Sequence, residues 1–258
     1  MKIVDIETKE DVVKYVEQKR EMPYSLLNII ERKFNWDIAL INKVFFYVPW
    51  NRISMSYDPS EEFIEEFFYK LNWHYISKKP YISEETLRRF HERVDWASVV
   101  YRPLSESFIE EFQEKIDWVR LTYTHQLSES LIERHLDKLS WMDISLYQKV
   151  SEDFIRKYQD NLDWEFISSF QNLSEPFIEE FQDKVNWTII SMKQNLSERF
   201  ILKHKEKLDD IIFNENCKKL PFEIILSNLS KIENVYRYKK MLKKPQFKLL
   251  KELHEVRK

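Results

Sequence analysis

LSESFIEEFQEKIDW (residues 104–118), VSEDFIRKYQDNLDW (150–164) and LSEPFIEEFQDKVNW (173–187) are copies of one pattern, each ending on Trp. The eight Trp residues stand at 36, 50, 73, 96, 118, 141, 164 and 187, with successive spacings of 14, 23, 23, 22, 23, 23 and 23. A fixed period of this length marks an internal repeat. After Trp the pattern continues with Ile-Ser (Ile144-Ser145, Ile167-Ser168, Ile190-Ser191), and Gln148, Gln171 and Gln194 follow four residues beyond each Ile.

The spacing inside one copy predicts helix. From Phe108, apolar groups recur at Ile109, Phe112 and Ile116, one face of a 3.6-residue period, where a strand would need period two. Ser105 stands at the N-cap with Glu106 in the first turn, and Leu104 with Ile109 forms a hydrophobic staple. Pro176 falls in a first turn, where its missing N–H costs no helical bond. A helix of about 12 residues is expected from this period. The residue before Trp (Asn72, Asp95, Asp117, Ser140, Asp163, Asn186) predicts the cap of a second, shorter helix of about seven residues, partly 3₁₀ in character. Neither helix can bury its apolar face alone, so neighbouring copies must stack. The expected fold is all-α: an α-solenoid of about ten 23-residue repeats, each a long helix plus a short one.

Aligned outward, the frame predicts a capping helix over 1–21, the array over 22–234 and a basic helical cap or tail over 235–258. A ninth copy has Asp210 where Trp is due, and the copy ending at Trp50 fits only with about nine residues removed before it, which predicts a local offset near 37–49.

Composition removes whole classes of function. The chain of 258 residues contains no Gly, where average usage of about 7% gives roughly 18. Rossmann fingerprints, P-loops and nucleophile elbows all need Gly. The single Cys, Cys217, cannot form an internal disulfide. Together with the absence of a signal-like N-terminus or a long apolar run, this predicts a cytoplasmic setting and no membrane partner. His74, His91, His125 and His254 share no metal-like spacing, while His135 and His204 occupy the slot of Phe112, Tyr158 and Phe181. Paired glutamates such as Glu110 and Glu111 are adjacent on a helix and point apart, so they cannot work as acid and base. No nucleophile, base and orienter set is found. The expectation is a non-enzymatic protein without cofactor or metal.

Net charge is −3, from 41 basic and 44 acidic residues, but the charges sort. The long helices carry acids (Glu61, Glu62, Glu65, Glu66; Glu179, Glu180, Asp183), which predicts one acidic edge. Residues 218–258 carry 12 Lys or Arg against four Glu. In the short helices, positions one, two, five and six after Trp vary freely and favour Tyr, Phe, Arg and Lys. Candidate partner-binding residues are therefore Arg52, Tyr75, Lys78, Lys79, Tyr101, Arg102, Arg120, Tyr123, Tyr147, Phe166, Phe170 and Lys193. Such a ladder suits protein anchors and equally the stacking of exposed bases. The plainer alternative is that several of these side chains pack between adjacent short helices.

The motif LSExFIxxFxxKxxWxxISxxQ resembles a short helical repeat of uncharacterised proteins of large DNA viruses and bacteriophages. The resemblance covers about four fifths of the chain. It implies a viral or phage origin, a host-cytoplasm location and a role in binding and inhibiting or recruiting a host factor, with no catalytic residues to carry over. The function expected is a protein-binding repeat scaffold. Single-stranded nucleic-acid or nucleotide binding is the alternative.

Overall fold

The computed structural model describes residues 2–208, 222–229, 232, 235–240 and 242–256, except the side chains of Val4, Ile224 and Arg237. The described residues form 19 α-helices and short 3₁₀ turns, with no strand, in an α-solenoid of helix pairs recurring about every 23 residues. None of these helices is long and apolar enough to cross a membrane. The chain divides into two compact units, Met1–His125 and Gln126–Lys258. Asp210, Cys217, Lys218, Lys219, Lys231, Arg257 and Lys258 lie outside the described residues.

Seven repeats open on a Ser N-cap: the hydroxyl of Ser105 accepts from the Phe108 N–H, and Ser60, Ser83, Ser128, Ser151, Ser174 and Ser197 cap their own copies in the same way. The first helix is shorter than expected. Glu106–Glu111, Glu152–Lys157 and Glu175–Glu180 are six residues each, and at Phe112 the backbone leaves α geometry at φ −112°, ψ 26°. The tightened turn that follows leaves the Gln113 carbonyl available to the Trp118 indole N–H at 2.8 Å. Trp73, Trp164 and Trp187 donate in the same way to Phe68, Gln159 and Gln182. The repeat's Trp thus closes the helix that precedes it.

The second helix follows from the expected caps. It spans seven residues in Trp118–Thr124, Trp141–Tyr147, Trp164–Phe170 and Trp187–Lys193, but only four in Trp73–Ile76 and Trp96–Val99. Lys79-Pro80 and Arg102-Pro103 account for the two short copies, because the residue before Pro is pushed out of α geometry.

Trp also ties each repeat to the next. Trp96 meets Phe108 and Phe112 at 6.1 and 4.8 Å, Trp164 meets Phe177 and Phe181 at 6.3 and 5.0 Å, and Trp187 meets Phe200 and His204 at 6.3 and 5.3 Å. A lysine of that next repeat lies over the same indole: Lys115 over Trp96, Lys184 over Trp164, Lys207 over Trp187.

Three side-chain ladders satisfy the backbone between layers. Glu61 accepts from the Ser83 N–H, Glu84 from Ser105, Glu129 from Ser151, Glu152 from Ser174 and Glu175 from Ser197, so the first residue of one helix holds the next repeat's cap. The serine after Ile donates to its own repeat's Trp carbonyl and accepts the N–H that opens the next short helix: Ser145 from Asp163 and Ser168 from Asn186. The glutamines are buried. Gln171 donates to the Gln148 carbonyl at 2.7 Å and accepts from the Val150 N–H, and Gln194 does the same with Gln171 and Leu173.

Part of the acidic edge is neutralised across layers. Arg88 pairs with Glu111, Arg89 with Glu65, Lys157 with Glu133, Arg156 with Glu180 and Lys203 with Glu179. Glu65, Glu111, Glu133, Glu179 and Glu180 are therefore partners of the neighbouring repeat's cations.

The offset expected near 37–49 takes a specific form. Asn35 and Trp36 both have positive φ, 44° and 55°, which costs roughly 1–2 kcal/mol per residue for non-Gly residues. The cap consequently moves past Trp to Asp37, and the 3₁₀ turn Phe45–Tyr47 stands where other copies place their first helix. Trp36 is buried against Tyr57 and Phe63, but its indole N–H has no hydrogen-bond partner.

Replacing Trp164 with Ala should cost about 3–5 kcal/mol. Gln171→Ala, which strips partners from two backbone groups, should cost roughly 1–3 kcal/mol. Urea denaturation of the full chain followed by circular dichroism checks both, and a parent-like midpoint for Gln171→Ala would remove the glutamine ladder from this account.

Candidate partner-binding face

The candidate residues lie on or just after the short helices, and the structure sorts them into two groups. Two of them are spent on the fold. Lys79 is 9% exposed and its Nζ donates to the Tyr57 carbonyl at 2.6 Å and to Asp58 at 3.0 Å. Arg102 is 5% exposed and donates to the Ile82 and Pro80 carbonyls. Neither can belong to an open face. Both do what Gln171 does one unit later, reaching back about one repeat to a connecting segment's carbonyl. Burial pushes the Arg102 guanidinium below its ordinary value, against the opposing pull of Glu84 and Glu61, and its Nε and Nη1 have no hydrogen-bond partner.

The other candidates reach solvent. In the N-terminal unit, Tyr101 is 54% and Tyr123 46% exposed, and Arg52 is also exposed. Tyr75, Lys78 and Arg120 are half-buried. Lys78 Nζ lies 5.8 Å from the Tyr101 ring centroid and 3.0 Å from His74 Nε2, while Arg52 sits 4.8 Å over Tyr24. A hydroxyl hydrogen bond with Tyr101 raises the Tyr123 pKa, with burial adding to it. Arg120 reaches Asp117 at 3.4 Å and the Ala97 carbonyl at 3.2 Å. In the C-terminal unit, Tyr147, Phe170 and Lys193 are exposed and Phe166 is half-buried, 6.2 Å from Phe170.

His74, Asp95 and Ser98 meet without forming a nucleophile relay. His74 Nδ1 is 2.7 Å from Asp95 and 3.0 Å from the Ser98 hydroxyl, which donates to the same carboxylate at 2.9 Å, and His74 Nε2 faces Lys78. A serine oriented by a base would need that imidazole nitrogen for itself. Asp95 also caps Trp96–Val99. Although burial pushes its pKa upward, hydrogen bonds from His74 and Ser98 hold it below the usual carboxylate range. The same contact exists one repeat earlier, where the Asn72 amide donates to Asn51 at 2.8 Å, which marks the position as an inter-repeat joint. Among the described residues, no group of three or more His, Cys, Asp or Glu could hold a metal ion.

Residue-by-residue reading of the sequence passed over His125. It occupies the glutamine slot, and its Nε2 donates to the Arg102 carbonyl at 2.9 Å; its place seven residues after Trp118, as Gln148 stands after Trp141, was the available signal. No family model, curated protein or solved structure matches the chain.

Burial pushes the His125 pKa below its ordinary 6.5, against that backbone hydrogen bond. The unfolded chain then binds the proton first as pH falls, so stability should decline from about pH 6.5 down to the lowered folded value and level off below it. His125→Gln, which restores the ladder's own residue without a titrating group, should flatten that decline. Urea midpoints of parent and variant at pH 7.5 and 5.5 check it, and equal slopes would clear His125 of the effect.

Proposed function

We propose that this chain is a non-enzymatic repeat scaffold that binds a protein partner through its short-helix face. One observation carries the reading: positions the repeat uses structurally are filled by Trp, Ile, Ser and Gln, whereas Tyr101, Tyr123, Tyr147 and Phe170 stand exposed at positions it leaves open. Tyr and Arg offer large, stiff contact area and are enriched among residues that dominate binding energy. The cations nearby are engaged with rings or side chains of the fold, Lys78 on Tyr101 and Arg52 on Tyr24, an arrangement that supports protein anchoring better than phosphate tracking. The likeness of the repeat to those of large DNA viruses and phages makes a host factor the partner class to test, with inhibition or recruitment as the consequence.

A tagged full chain, used in pull-downs with and without nuclease, should retain a stoichiometric protein after nuclease treatment. A combined Tyr101→Ala, Tyr123→Ala and Tyr147→Ala variant should melt like the parent and lose at least about tenfold in affinity, because truncated anchors cost several kcal/mol together. Unchanged capture by that variant would reject the face. Recovery of nucleic acid, with loss of every protein after nuclease, would reject the protein-binding reading in favour of strand binding.

A further inference from the structure

We infer that the short-helix face of the N-terminal unit takes an acidic peptide segment in extended conformation, laid across successive repeats. This rests on the protein-binding reading and names the chemistry of the partner.

The face repeats once per layer in two columns. Five residues after Trp stand Met55, Lys78, Tyr101 and Tyr123, and two residues after it stand Arg52, Tyr75, Ser98 and Arg120. Met55, Tyr101 and Tyr123 are exposed large side chains on four consecutive layers interrupted only by Lys78. They form an apolar strip with cations beside and within it.

The charge on this face is one-sided for a structural reason. The aspartates here are already engaged: Asp58 holds Lys79, Asp95 caps one short helix and takes His74, and Asp117 caps the next and takes Arg120. Arg52 and Lys78 have no carboxylate partner among the described residues. The uncompensated charge is therefore positive, and it is complementary to carboxylates separated by apolar residues.

Charge density selects a peptide over a nucleic-acid strand. Lys78 reaches forward to Tyr101 and Arg120 back to the Ala97 carbonyl, so both flank the Trp96–Val99 helix. A nucleic-acid strand carries a charge about every 3.4 Å along a duplex axis, whereas Arg52 and Lys78 are single cations on successive layers, each lying against a ring. The Tyr101 ring is also partly covered by Lys78, which removes a stacking platform. An extended peptide would set one acidic residue on Arg52 and another on Lys78, the two cations without a carboxylate partner among the described residues, with an apolar residue on Tyr101.

A displayed library of randomised peptides, each about twelve residues long, selected on the full chain and counter-selected on Lys78→Glu, tests this. The expected result is enrichment of sequences that combine two or more Asp or Glu with an apolar residue. A synthetic peptide of the enriched sequence should bind the parent at least about tenfold more tightly than Lys78→Glu or Arg52→Glu, both checked by circular dichroism to fold as the parent does. Enrichment of basic or uncharged sequences that the triple tyrosine variant no longer binds would overturn the acidic partner and leave protein binding standing. No enrichment, with a labelled oligothymidine binding instead, would overturn both.

Discussion

Helices of six and seven residues set the governing constraint, because the first four N–H groups and the last four carbonyls of any α-helix have no partner within it. In Glu106–Glu111 or Trp164–Phe170 this covers nearly the whole backbone. The fold exists because side chains supply the missing bonds, and many of the suppliers belong to the adjacent repeat. Glu152 holds the N–H of Ser174, Ser168 holds that of Asn186, and Gln171 takes both a carbonyl and an N–H of the preceding connection. Each layer is thus incomplete without its neighbour, in hydrogen bonding as much as in apolar burial.

That dependence explains why the polar residues of the motif are as regular as its Trp and Phe. A buried hydrogen bond contributes only about 1 kcal/mol net, but an abandoned partner costs about 1–3 kcal/mol. Ser145, Ser168 and Ser191 are fully buried, where a hydroxyl with one donor and two acceptor sites can serve two backbones at once. Glutamine, carrying both a donor and an acceptor group, meets the same need at the connections. In the N-terminal unit the connection is instead served by Lys79, Arg102 and His125, which bring charge or titration and supply the donor half of what glutamine offers. Arg102 shows the consequence in two buried N–H groups without partners.

Engagement of the acids as caps and inter-repeat partners also shapes the surface. A near-neutral chain can present a locally cationic strip because the aspartates at the short-helix starts are committed to backbone N–H groups. Net charge alone would not reveal it.

Much of this was legible in the residues themselves. The Trp period, the Ser caps, the second cap before Trp and the apolar face at Phe108, Ile109 and Phe112 are local features, so composition and spacing determined an all-α repeat array with its helix starts in place. What tertiary structure alone decided depends on residues a full repeat apart. Lys79 and Arg102 look like surface cations among variable positions, yet stacking turns them inward to carbonyls more than 20 residues back in sequence or, for Ile82, 20. Trp36 keeps the repeat's residue but not its geometry, since the nine-residue gap that follows forces two left-handed residues and orphans its indole N–H. A sequence specifies which hydrogen-bonding groups each repeat offers; only the packed layers decide which of them are consumed and which remain for a partner.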